Sequence, residues 1–356
     1  MGLALRFREG TSPMRDNYQD EELRTREKTT STSLVLVLFF LLFVAPSGVR
    51  PQTRVLPPGG QADPFTIAVK MNLVVIHATV LDAKGVLVSG LDKKDFQVFE
   101  DEVPQQIDSF SHEDVPVTVG LVVDNSGSMG PKRSEVIAAA LAFARSSNPQ
   151  DQMFVVTFNE KVSFGLPDDM PFTDQVAELY KALSRIAANG MTALYDAVAG
   201  GLEHLNKGNR NKKVLIVISD GGDNASSRKL DQIMTMAGRS DAIIYTIGVF
   251  DENDPDRDPG MLKQLAKATG GMAFLPGSVK DVVPICERIA HDIRNQYTIA
   301  YVPSNEKQDG TYRALQVKAG TPDRKSLIVR TRAGYYASGN SQPLPPAGAN
   351  CHEDLD

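Results

Sequence analysis

Asp124-Asn-Ser126-Gly-Ser128 follows directly on an apolar run, residues 117–123, and gathers one carboxylate and two hydroxyls in a single turn. A second apolar run, residues 214–219, ends in Asp220-Gly-Gly-Asp223-Asn224, and Gly190-Met-Thr192 opens a helical stretch. If both runs are strands of one open sheet, these segments share its carboxyl edge, where such sheets bind ligands. Asp124, Ser126, Ser128, Thr192 and Asp220 then converge. Hard oxygens without thiolate or imidazole suit Mg2+, with Mn2+ or Ca2+ as alternatives, and disfavour Zn2+. Two carboxylates just neutralise a divalent ion. Hydroxyls and water complete the shell, leaving an exchangeable position for an outside carboxylate. Taken alone, Asp-x-Ser-x-Ser would serve equally as a helix N-cap. Thr192 and Asp220 at their places favour the metal.

Other groups point to less. Asp223 and Asn224 read either as a flexible loop or as added ligand contacts. Asp254-Pro-Asp256-Arg-Asp258-Pro-Gly260 alternates acids as a calcium loop does. It has no Gly at the sixth position, and Leu265 stands where the closing Glu belongs, so a solvated acidic loop is expected. His77, His112, His204, His291 and His352 are scattered, and neither a nucleophile elbow nor a phosphate-cradling loop is present in the sequence. Met191, Met234 and Met236 read as packing residues. Cys286 and Cys351 make neither a disulfide framework nor a zinc site, and their pairing is not expected. With 38 Lys and Arg against 44 Asp and Glu in 356 residues, net charge −6, general nucleic-acid binding is a poor fit. The 42% hydrophobic and 23% charged content is that of a globular chain.

The elements that must position the oxygens alternate between residues 115 and 296. Strands are expected at 117–123, 153–158, 213–218, 242–249 and 271–275. Helices are expected at 131–147, 173–188, 192–205, 229–239, 260–269 and 279–296. In the second helix Val176, Leu179, Tyr180, Leu183 and Ile186 form the apolar face. Runs buried on both faces, alternating with helices, predict an α/β fold with a doubly wound, mostly parallel sheet.

On either side lies alternating, strand-like sequence. Before it, residues 64–114 carry Phe65, Ile67, Val69, Met71, Leu73 and Val75 at every second position, a turn at Asp82-Ala-Lys-Gly85, and further alternation to Phe110. After it, residues 297–337 hold three strand-like stretches. Each flank is too small for its own core. The two are therefore expected to pair as one small antiparallel β-sandwich into which the α/β segment is inserted.

Residues 1–48 read as a leader. Arg24, Arg26 and Lys28 precede an apolar stretch within residues 34–45, too short for an unassisted span, and Ala45-Pro-Ser47 supplies small residues after it. This describes a cleaved export signal. Met14 is an alternative start, and membrane anchoring through residues 34–45 is the alternative to cleavage. Residues 49–63 read as a Pro- and Gly-bearing linker and 338–356 as a disordered tail.

Asp124-x-Ser126-x-Ser128 after a first buried strand, Gly190-Met-Thr192-Ala-Leu-Tyr-Asp and Ser219-Asp220-Gly together resemble the von Willebrand factor type A domain and its metal-ion-dependent adhesion site. The resemblance spans residues 115–296. The flanks are similar to those of bacterial secreted proteins related to that domain, through Asp95-Phe-Gln-Val-Phe-Glu-Asp101, Pro104-Gln-Gln-Ile107, the Tyr297–Tyr301 stretch and Gly334-Tyr-Tyr336. The resemblance implies that Ser126 and Ser128 bind the ion directly, that Asp220 acts through water, and that Asp124 and Thr192 complete the set. It implies a non-enzymatic, extracytoplasmic module that binds a protein ligand presenting Asp or Glu. A Mg2+-dependent hydrolase using Asp223 as base, and a purely structural metal site, remain as alternatives.

Overall fold

The structure, a computed structural model, describes residues 73–338 apart from 186, 221, 251–256 and 322–326. The leader, the linker, the alternation at Phe65, Ile67, Val69 and Met71, and the tail after Ser338 lie outside the described residues. None of the described helices is long and apolar enough to cross a membrane.

Eight of the strands belong to the flanks: β1 (Val74–Leu81), β2 (Phe96–Glu100), β3 (Val103–Gln105) and β4 (Ser109–Ser111) before the α/β segment, β11 (Tyr297–Tyr301), β12 (Asp309–Ala319), β13 (Ile328–Arg330) and β14 (Gly334–Ser338) after it. They form two four-stranded sheets, ordered β13-β1-β11-β4 and β14-β12-β2-β3. Each sheet draws strands from both flanks, so the α/β segment is an insertion into the sandwich. Val74 pairs with Tyr301 and Ala78 with Tyr297, while Phe96 pairs with Ala319 and Glu100 with Leu315. The sheets share one core, in which Ile76, Val98, Tyr297, Ile299 and Tyr301 are buried together.

Two flank expectations need correction. Val74, Ile76, Ala78 and Val80 are the buried phase of β1, whereas Leu73 and Val75 are 49% and 41% exposed. The sequence offers apolar residues in both phases here, and the pairing partner decides between them. Ser338, placed in the tail by its sequence, closes β14.

Within the insertion, β5 (Val117–Asp124), β6 (Gln152–Phe158), β7 (Val162–Phe164), β8 (Lys212–Ser219), β9 (Ile243–Gly248) and β10 (Ala273–Phe274) form one sheet. Its order is β10-β9-β8-β5-β6-β7. All pairs are parallel except the edge pair of β7 with β6. β5 is buried along its whole length, as a central parallel strand covered on both faces must be. The helices are α1 (Arg133–Ser146), α2 (Val176–Ser184), α3 (Leu194–Leu205), α4 (Leu230–Arg239), α5 (Pro259–Thr269) and α6 (Val282–Arg294). α1 packs with α2 and α6, and α3, α4 and α5 line up on the other side.

α2 is shorter than its apolar pattern, and Tyr180 on it is 54% exposed; Ala182 takes the inward place beside Leu179 and Leu183. Pro131 lies in a 3-10 turn, Gly127–Lys132, that precedes α1 rather than in its first turn. Asp258 caps α5 by accepting from the Met261 amide at 2.9 Å. Cys286 is buried in α6, and Cys351 lies outside the described residues.

Candidate metal centre

β5 runs between β8 on one side and β6 on the other. The chain leaves β5 toward β6 and returns to β8, so the loops after β5 and β8 diverge and leave a crevice at their carboxyl ends. Asp124 is the last residue of β5, and Asp220 follows the last residue of β8. Both are only 3% exposed.

Hydrogen bonds fix the Asp124 carboxylate. Oδ1 accepts from the Ser126 amide at 2.8 Å and Oδ2 from the Ser219 hydroxyl at 2.6 Å. Burial, and the Asp220 carboxylate nearby, push the Asp124 carboxyl up to about 6, against the lowering effect of its bonds from Ser219 and Ser126. Ser126 is buried; its hydroxyl lies 3.1 Å from that of Ser128, which faces solvent. Ser126 begins the 3-10 turn in extended conformation and makes no side-chain cap bond there, so its hydroxyl is turned to the carboxylate side instead of to the helix.

The Thr192 loop is laced to this turn. The Gly127 amide donates to Gly190 O at 3.1 Å and the Asn189 amide to Asn125 O at 3.0 Å. Asn125 Nδ2 donates to Ala187 O at 3.1 Å, and its Oδ1 accepts from Arg133 Nε at 3.1 Å. Gly190 has φ +77°, and a Cβ there would stand 2.8 Å from Glu160 Oε2, so glycine is required at this crossing. Thr192 itself is buried.

Asp223 and Asn224, the undecided pair, brace that loop. Asn224 Oδ1 accepts from the Thr192 amide at 2.8 Å, and the Asn224 amide donates to Thr192 O at 3.0 Å. Asp223 Oδ1 accepts from the Tyr195 amide at 3.1 Å and the Ser226 hydroxyl at 2.6 Å. Met191, expected to pack, is 53% exposed beside Thr192.

Sequence reasoning assigned no role to Ser219 and did not single out Lys132. Lys132 is 7% exposed; its Nζ donates to Val249 O at 2.8 Å and lies 3.9 Å from Asp220 Oδ2. A lysine two residues before a helix reads as a solvated charge, and only the fold shows its burial. Among the described residues, no three His, Cys, Asp or Glu side chains gather at metal-binding spacing. The centre offers two carboxylates, and its remaining oxygens are hydroxyls. That donor set fits a hard divalent cation: two buried acids repel one another, and two hydroxyl oxygens stand in contact beside them.

The model of one family, the von Willebrand factor type A domain, matches residues 119–222, the stretch from within β5 to just past Asp220. The chain carries a von Willebrand factor type A domain. An uncharacterized protein of Synechocystis sp., sll0103, is 26% identical over 168 residues, which are 45% of this chain and 38% of that relative. The chain thus spans well under half of that relative's length. Among solved structures, a von Willebrand factor type A protein from Catenulispora acidiphila is similar at 13% identity over 74% of each chain, with TM-score 0.45. The corresponding domain of the type V pili tip protein Mfa5 from Porphyromonas gingivalis is similar at 15% identity, over 51% of this chain and 95% of that one, with TM-score 0.43.

Proposed function

We propose that the type A domain is a metal-dependent protein-binding module that uses Asp124, Ser126, Ser128, Thr192 and Asp220 to hold Mg2+, with Mn2+ or Ca2+ as substitutes, and to capture an Asp or Glu side chain of a partner. One observation carries this reading. Asp124 and Asp220 end neighbouring strands at the switch point of the sheet, buried, and close enough that the second raises the first.

A bound divalent cation would supply a Lewis-acidic position for the partner carboxylate. The chain's own residues do the rest. Ser219 and the Ser126 amide orient the Asp124 carboxylate. Asn125 and Gly190 hold the Thr192 loop against the Asp124 turn, and Asn224 fixes Thr192 from the other side. Met191 gives the rim an exposed apolar side chain for the partner's surface.

The apolar stretch within residues 34–45 supports an exported protein, with the module presented outside the cytoplasm on a sandwich that carries both chain ends of the insertion. Asp223, the base that a hydrolase would need, has its Oδ1 engaged by Tyr195 and Ser226, which favours the binding reading over the hydrolytic one.

The test is capture of proteins from the outer compartment on immobilised full-length chain, with Mg2+ and with EDTA. A specific ligand should elute with EDTA and be absent from the Asp124→Ala column. A ligand retained equally by both columns, whatever the chelator, would contradict the reading.

A further inference from the structure

We propose that Lys132 sets the charge of this centre, so that the metal-loaded site carries one net positive charge and selects an anionic partner. The inference rests on the metal reading above and deepens it.

Lys132 ends the 3-10 turn that carries Ser128. A buried ammonium is costly unless it is paired. Its Nζ has Val249 O at 2.8 Å and the Asp220 carboxylate at 3.9 Å. Val249 in turn donates its amide to Ser219 O at 2.9 Å. One side chain therefore joins the turn bearing Ser126 and Ser128 to the ends of β8 and β9, beside a proposed ligand. The charges then count simply. Two carboxylates balance a divalent cation, and the ammonium leaves one positive charge over. Without Lys132 the loaded centre would be neutral.

The ammonium must therefore act with opposite sign on the two ligands. It opposes loading of the cation and favours the carboxylate that follows. A lysine that merely held the loops would strengthen both steps, and its loss would weaken both. This difference in sign separates the charge role from a structural one.

The experiment is a calorimetric Mn2+ titration of the full-length protein and of Lys132→Met, Lys132→Gln and Lys132→Arg, with Asp124→Ala as reference. Removing a unit charge at this range should tighten Mn2+ binding by about tenfold in the two neutral variants. Lys132→Arg should stay near wild type. Acetate, a bare carboxylate probe, should bind the Mn2+-loaded neutral variants about tenfold more weakly than the loaded wild type. Unchanged or weaker Mn2+ binding in the neutral variants, with metal bound by wild type and lost in Asp124→Ala, overturns the role of Lys132 alone. Absence of Mn2+ binding in wild type, or its persistence in Asp124→Ala, overturns the metal reading itself. Melting in EDTA shows whether the neutral variants fold. A wild-type measurement stands apart from them: acetate, but not acetamide, should tighten Mn2+ binding through linkage. Equal effects of the two would overturn the proposal.

Discussion

Glu100 and Arg313 are buried inside the sandwich, while Asp124, Asp220 and Lys132 are buried at the edge of the parallel sheet. In the sandwich the charges match one to one. Glu100 Oε1 accepts from Arg313 at 3.0 Å, and Oε2 accepts from Tyr301 at 2.6 Å and Tyr335 at 2.8 Å. Both tyrosine hydroxyls are held protonated well above their ordinary range by burial and by donating to Glu100, that of Tyr335 up to about 12. At the sheet edge two carboxylates face one ammonium, and the excess acid shows in the raised Asp124 carboxyl. A buried network that closes on itself specifies packing. A buried network left one charge short has room for a cation.

The largest effect should come from opening the closed network. Arg313→Met leaves Glu100 buried without its cation and should cost about 3–5 kcal/mol. Urea unfolding would measure it, and Mg2+ should not restore it. The double variant Glu100→Gln with Arg313→Met should recover part of that loss. The open network should behave in the other way. Mg2+ at about a hundred times its Kd should stabilise wild type by about 2.7 kcal/mol, and Asp124→Ala by nothing. Melting with and without EDTA reads both. If Mg2+ stabilised the two proteins alike, the contrast between the regions would be lost.

A smaller effect separates the regions by pH. Burial, with Lys212 and Arg332 nearby, holds His77 of β1 down to about 3 from its ordinary 6.5. The folded state thus binds that proton less readily than the unfolded chain. Its contribution is fully present above pH 6.5 and is lost as pH falls toward 3, at most about 1.4 kcal/mol per pH unit. His77→Gln should flatten that part of the acid-unfolding curve without moving metal affinity. The smallest effect belongs to Ser128, which is exposed. Ser128→Ala should leave stability within about 0.5 kcal/mol, yet weaken Mg2+ binding in the same calorimetric titration. An unchanged affinity would remove Ser128 from the ligand set.

The contrast also explains what the sequence showed and what it hid. The parallel sheet was legible because central strands such as β5 are apolar throughout and each is followed by a helix. The acidic pair was legible because each Asp directly follows such a strand. The three-residue edge strand β7, Val162–Phe164, left too short a pattern to read. The buried phase of β1 depends on β11, far away along the chain, so Leu73 and Val75 misled. Tyr180 misled because an apolar stripe at helical spacing does not say where the helix stops. Arg313 and Lys132 read as surface charges, since burial of a charge is decided by a partner that only the fold brings near. Ser219 was visible in its motif, but its bond to Asp124 needs β5 and β8 side by side.

The most direct test of the centre is an anomalous difference map from crystals of the full-length protein grown with Mn2+. A single peak is expected where Asp124, Ser126 and Ser128 meet, with Thr192 and Asp220 reaching it directly or through water. Asp124 and Asp220 pointing into separate regions with no shared peak, in crystals that hold Mn2+ elsewhere, would contradict it.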